Sequence, residues 1–135
     1  MRKTAIFITL FLIIFTLSSC GDNVFESGVA SKSAHITVKT PSKTVIDEEI
    51  SFDDAKIIDA LTFVAKKSII EIKVSGSSGM EYVESIDGLA QFDMGAKSGW
   101  IYRVNGKMPN VGAGAYTIAN GDKIEWQYVT EYVNE

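Results

Sequence analysis

The hydrophobic period of this chain changes twice, and that limits it to a sheet carrying one helix. Residues 34–39 alternate apolar and polar side chains, the pattern of a strand with one buried face. A turn at Thr40-Pro41-Ser42-Lys43 follows. Residues 45–52 form a second strand, with Ile46, Ile50 and Phe52 on one face. The period then lengthens: Ile57, Ile58, Leu61, Val64 and Ala65 fall at helical spacing. Ser51 or Asp53 is the expected N-cap. With Asp53 in that role, Phe52 and Ile57 stand at the positions of a hydrophobic staple. Lys66 and Lys67 suit the negative end of the helix dipole.

Period two returns over residues 69–74, where Ile70, Ile72 and Val74 share a face. Gly76-Ser77-Ser78-Gly79 reads as a loop. Residues 81–86 read as a short strand ended by Asp87-Gly88. Residues 99–109 read as a hairpin around Asn105-Gly106, a pair suited to a two-residue turn with positive φ at both centres. Residues 111–115 are glycine-rich, and Asn120-Gly121-Asp122 is another turn. Residues 123–129 close the chain, with Ile124, Trp126 and Tyr128 on one face. Strand, strand, helix and further strands is the order of an α+β domain of β-grasp type, a mixed sheet holding one main helix.

A different segment precedes this domain. Arg2 and Lys3 give a positive start, an apolar run follows from Ala5 to Leu17, and Ser18-Ser19-Cys20-Gly21 ends it. This is a secretory pattern. The run is shorter than the ~20 residues that span a bilayer as a helix. Leu17-Ser18-Ser19-Cys20 resembles the lipobox of bacterial lipoproteins. That resemblance implies cleavage before Cys20 and a diacylglycerol on its thiol. Residues 1–19 are then a cleaved signal peptide, 20–33 a lipidated N-terminus and flexible tether, and 34–135 the folded domain. The expected location is the outer or periplasmic face of a cell membrane, held through the lipid alone. Cys20 is the single cysteine, so no intramolecular disulfide can form.

The formal charge is -4, and loss of Arg2 and Lys3 makes the mature chain more acidic. That argues against nucleic acid as a partner. His35, the one histidine, falls on the polar face of the first strand, where solvent exposure is expected. Asp47, Glu48 and Glu49 alternate across a strand and so cannot converge on one ion. No cluster has metal spacing and no cofactor is called for. No histidine neighbours a plausible nucleophile, which argues against an enzyme.

Several short pieces in order carry a family likeness: 56–61 on the helix, 82–88, Gly99-Trp100-Ile101-Tyr102-Arg103-Val104-Asn105-Gly106, 111–116 and 120–126. Together they resemble a domain of unknown function of bacterial surface proteins (DUF4430 type). They are also similar to the C-terminal β-domain of the cobalamin carriers transcobalamin and intrinsic factor. In those carriers, the resemblance implies, this domain lies over one face of cobalamin while a helical domain holds the other. This chain has no room for the helical domain.

Trp100 stands at the position of a carrier tryptophan near the ligand, and a flat aromatic suits a broad, partly apolar macrocycle. Equally, Trp100, Tyr102 and Val104 alternate as a core face. The loop with Val111, Gly112, Gly114 and Tyr116 either lets backbone amides approach a ligand or makes a tight bend between strands. Trp126 reads as core. Two functions follow from these readings. One is a non-enzymatic lipoprotein that binds cobalamin or another corrinoid and passes it to a membrane transporter. The other is a surface module that binds a protein or a glycan.

Overall fold

The computed structural model describes residues 30–131. The expected signal peptide, Cys20 and most of the expected tether lie outside the described residues.

Two antiparallel strands open the domain, β1 (Lys32–Lys39) and β2 (Thr44–Phe52), followed by one helix, α1 (Ile57–Lys67). Then come β3 (Ile72–Ser75), β4 (Tyr82–Ile86), β5 (Leu89–Ala90), β6 (Gly99–Val104) and β7 (Lys123–Val129). A four-stranded sheet has the order β2-β1-β7-β6, and β3-β4-β5 form a smaller second sheet. β1 and β7 pair in parallel at the centre of the first sheet, while its other pairs are antiparallel. This is the mixed sheet with one helix expected from the periodicity.

Register lines up the buried rows. Ile46, Val38, Trp126 and Tyr102 face one another in turn across the four strands. The neighbouring row holds Ile36, Ile124 and Val104, and ends on β2 at Glu48, whose carboxylate reaches Lys67 Nζ at 2.8 Å. A charge on the inner face is thus led out to the last turn of α1. Ile57, Ala60, Leu61, Val64 and Ala65 on α1 close over this face. Ile36, Val38, Phe52, Ile57, Leu61 and Ile124 are at most 1% exposed. Each contributes about 1.5–3 kcal/mol by leaving water. The outward row is polar: His35 is exposed, and its Nε2 lies 2.7 Å from Asp47.

Several local expectations differ from what is observed. The helix is capped at Lys56, not at Ser51 or Asp53, because β2 runs on through Phe52. Asp59 accepts from the Lys56 N–H at 3.0 Å, and Asp53 accepts from the N–H of Ser31 instead. With the cap at Lys56, Phe52 is too early to staple to Ile57. The third strand starts at Ile72 rather than Ile69. Ile69 terminates the helix at φ 57, with the Ile70 N–H bonded to the Ala65 carbonyl at 2.8 Å. Val74 is exposed rather than sharing a buried face with Ile70 and Ile72.

Asp87-Gly88, read as the end of a strand, turns the chain into the short strand β5; both residues have positive φ, 53 and 77. Asn105-Gly106 also turns as expected, with φ 52 and 82. Its hairpin, however, stops at the Val104–Lys107 bridge, and β6 pairs with β7 instead. Pro109 lacks the N–H that a longer return arm needs.

Candidate functional site

The edge strand β6 and strand β4 of the second sheet form the walls of a cleft of about 250 Å³. β6 supplies Trp100 and Tyr102, and β4 supplies Tyr82 and Val83. Met108, Val111, Gly112 and Ala113 line it from the loop after the Asn105-Gly106 turn, and Trp126 from β7. Glu81 is the one charged residue among those lining it. A second hollow of about 170 Å³ shares Tyr82, Val83, Trp100 and Ile101 and extends the concave surface towards Phe92.

The aromatic walls are fixed by hydrogen bonds as well as packing. The Trp100 Nε1–H donates to the Leu89 carbonyl at 2.9 Å, and its ring meets Tyr128 edge-on with centroids 5.3 Å apart. The Tyr102 hydroxyl donates to the Val111 carbonyl at 2.6 Å, and its ring lies 5.4 Å from that of Trp126. Burial, with Tyr116 adding to it, pushes the Tyr102 hydroxyl up to about 12. It therefore stays a neutral donor through the physiological range. Trp100 is half-buried, between the two readings open to it: it packs on the core and also faces the cleft.

The glycine-rich loop is anchored by its carbonyls. α1 leaves its first N–H groups without intrahelical partners. Ile57 N–H donates to the Tyr116 carbonyl at 3.2 Å, and Ile58 N–H to that of Ala113 at 3.1 Å. The loop is thus the cap of the helix. Ile118 N–H donates to Ala55, and Lys56 pairs with Thr117 as an isolated bridge. The glycines make room for neighbours. A Cβ on Gly112 would sit 2.7 Å from the Gly79 carbonyl oxygen, and one on Gly114 only 1.7 Å from Glu81 Oε2. Bare backbone at these positions admits the 79–81 segment.

Of the residues singled out from the sequence, Trp100, Tyr102, Val111 and Gly112 therefore meet in one cleft. Gly114 borders it through Glu81. Tyr116 stacks edge-on to Tyr102 at 6.4 Å and lines a neighbouring depression with Val104, Asn105 and Lys107, which shares Met108 and Pro109 with the cleft. Glu81 was missed, since nothing in its local pattern marks a carboxylate folded over a glycine. Trp126 was read only as core. It is 2% exposed, and it also lines the cleft. Among the described residues, no three His, Cys, Asp or Glu side chains are grouped to hold a metal ion, and no helix is long and apolar enough to cross a membrane.

Residues 55–130 match the model of a domain of unknown function, DUF4430. The chain belongs to this family. The DUF4430 match begins just before α1 and ends after β7, so it takes in every wall of the cleft. None of the curated proteins matches the chain in sequence. Two solved structures are similar in fold. A crystal structure of a candidate metal-binding protein from Ruminococcus gnavus ATCC 29149 is 19% identical with a TM-score of 0.57, over 75% of this chain and 99% of that one. Haptocorrin in complex with Cbi is 18% identical with a TM-score of 0.66, over 79% of this chain. The DUF4430 chain spans only 27% of the haptocorrin chain. At these identities the likeness concerns the fold.

Proposed function

We propose that this DUF4430 protein is a non-enzymatic binding lipoprotein, anchored through Cys20 outside the cell membrane. It takes a small, partly apolar molecule into the cleft between β4 and β6. The ligand class is a corrinoid such as cobalamin, which the protein passes to a membrane transporter. The observation that carries this reading is the convergence of Trp100, Tyr102 and Val111 on one concave surface. The fold that holds them is similar to that of a haptocorrin complex. The cleft is smaller than the ~300–1,000 Å³ of pockets that enclose a drug-sized ligand. It therefore grips one part of a large molecule and leaves the rest outside, as half of a clamp does.

Equilibrium dialysis of the full chain in detergent against cobinamide and cobalamin tests the reading. Saturable uptake of one corrinoid per chain is expected. Absence of uptake removes the corrinoid reading. The anchor is tested separately: Cys20→Ala is expected to leave the protein unprocessed or soluble. A cleaved variant that still fractionates with membranes contradicts lipidation at Cys20.

A specific observation favours a second reading, a surface module that binds a protein. Met80, Phe92 and Met94 are 77%, 59% and 49% exposed, and Phe92 continues the concave surface past Tyr82. Large apolar side chains left exposed, as Phe92 is beside this hollow, are found at contact surfaces. This reading takes first place if neither corrinoid binds.

A further inference from the structure

Phe92 is a residue that neither its backbone nor the core calls for. Its φ is 71, in the left-handed region that bulky side chains rarely adopt. It is 59% exposed, so burial offsets little of that strain. The loop around it is nevertheless well bonded. The Phe92 N–H donates to the Ser98 carbonyl at 2.9 Å, and the Gly95 N–H donates to the Phe92 carbonyl at 3.3 Å. Ser98 is buried, and its hydroxyl donates to the Gly95 carbonyl at 2.9 Å and accepts from the Met94 N–H at 3.1 Å. A glycine would take the same turn without strain. Strain that a well-bonded loop imposes on an exposed aromatic residue points to a use for that side chain outside the fold.

Phe92 lines the hollow of about 170 Å³ beside the cleft, together with Tyr82, Trp100 and Lys97. Tyr82 is 48% exposed and Trp100 is half-buried, so three aromatic residues border one small open space. Lys97 is exposed and is the one charged residue among those lining it. None of the ion pairs seen among the described residues involves Lys97. The carboxylate nearest to it in sequence, that of Asp93, accepts from the Ala90 N–H at 2.8 Å. The hollow thus carries a positive charge in a chain whose formal charge is -4. We infer that it binds a small aromatic acid, a single flat ring bearing a carboxylate. The ring lies against Phe92, Tyr82 and Trp100, and the carboxylate meets Lys97. Aromatic pairs gain beyond the area they bury. A neutral ring leaves Lys97 unused, and an organic cation is repelled by it. The hollow is smaller than the ~300–1,000 Å³ of pockets that enclose a drug-sized ligand, which limits the occupant to a single ring. The inference goes beyond the corrinoid reading and does not need it.

The test uses the ¹⁵N-labelled full chain in detergent, titrated with benzoate, cyclohexanecarboxylate and benzyl alcohol. The second keeps the charge without the flat ring, and the third keeps the ring without the charge. The chain has 2 tryptophans, so loss of a signal in Trp100→Phe assigns its indole N–H resonance, and Trp126→Phe assigns it equally by elimination. Benzoate is expected to shift the Trp100 resonance saturably. It is expected to bind at least ~3-fold more tightly than benzyl alcohol, a margin that allows for solvent screening at an exposed lysine. The same ~3-fold margin is expected over cyclohexanecarboxylate, from contact of the ring with aromatic side chains. Lys97→Gln is expected to bring benzoate and benzyl alcohol close to equal. Phe92→Gly separates binding from folding: its melting midpoint is expected to match or exceed that of wild type, while benzoate affinity falls at least ~3-fold. An unmoved Trp100 resonance, equal binding of benzoate and either control, or a Phe92→Gly variant that melts markedly lower or binds benzoate undiminished overturns the inference. If benzoate is selected while cobinamide and cobalamin are not bound, the corrinoid reading falls and the aromatic-acid site stands. If the corrinoids bind and benzoate is not selected, the aromatic-acid site falls alone.

Discussion

The carboxylate of Glu81 occupies the place that a side chain on Gly114 would take: a Cβ there would lie 1.7 Å from Oε2. At Gly112 the obstacle is different, a backbone oxygen of Gly79 at 2.7 Å. Both glycines have backbone angles open to other residues, so any cost of substitution is steric. A carboxylate at the end of a flexible side chain can swing away, whereas a carbonyl moves only with its backbone. Gly112→Ala is therefore expected to cost about 1–3 kcal/mol of stability, the range for overpacking. Gly114→Ala should cost less, and in a Glu81→Ala background its cost should largely vanish. Thermal melts of the three variants check this, and a Gly114→Ala cost at or above that of Gly112→Ala contradicts it.

Ile69 holds a place that favours glycine. It follows the Ser68 C-cap at φ 57, with Ile70 closing on Ala65 as in a Schellman motif. Its side chain is 94% exposed, so almost no burial is lost by removing it. A left-handed conformation costs a non-glycine residue roughly 1–2 kcal/mol. Ile69→Gly is expected to raise stability by about 1 kcal/mol after the entropy of the freer unfolded chain is subtracted. A lower melting midpoint for this variant argues against the assigned cap.

Gly106 is the converse case. Its φ is 82 and nothing lies within 4 Å of where a Cβ would be, so the backbone alone resists substitution. A β-branched residue is poorly tolerated there. Gly106→Val is expected to cost at least ~1–2 kcal/mol. An unchanged midpoint in a chemical denaturation series counts against the turn.

Tyr102 ties stability to alkaline pH. Its hydroxyl is pushed from 10.0 up to about 12, chiefly by burial and further by Tyr116. The folded state thus keeps a proton that the unfolded chain releases. The resulting stabilisation is fully present below pH 10 and is lost as pH rises towards 12. The slope cannot exceed about 1.4 kcal/mol per pH unit for one group. Tyr102→Phe is expected to lose about 1 kcal/mol near neutrality with its bond to Val111. It should also unfold with a shallower alkaline slope than wild type. Parallel slopes from pH 9 to 12 would falsify the assignment to Tyr102.

Much of the fold was legible because strands with one buried face must alternate. Ile46, Ile50 and Phe52 on β2 and Ile124, Trp126 and Tyr128 on β7 are buried as their spacing implies. The cap at Lys56 was not legible, since it depends on carbonyls of Ala113 and Tyr116 far along the chain. β5 escaped notice because two residues make no period, although Asp87-Gly88 before it was a usable turn signal. The parallel pairing of β1 with β7 joins segments separated by most of the domain, and alternation says nothing about which strand lies beside which. The cleft was half legible. Aromatic residues mark Trp100 and Tyr102, but Glu81 and the second role of Trp126 emerge only from packing.

The claim that the cleft is the ligand site is tested most directly by altering its rim without touching the core. Trp100 is a poor choice, since its bond to Leu89 and contact with Tyr128 also support the fold. Val111 is 50% exposed and lines the cleft, so Val111→Arg adds bulk and charge at the mouth with little loss of packing. The measurement is cobinamide affinity of the wild-type full chain and of this variant, with a thermal melt of each. The account expects saturable wild-type binding, at least ~10-fold weaker binding by Val111→Arg, equivalent to about 1.4 kcal/mol, and closely similar melting midpoints. Equal affinities in the two proteins, or no saturable binding by wild type, contradict it.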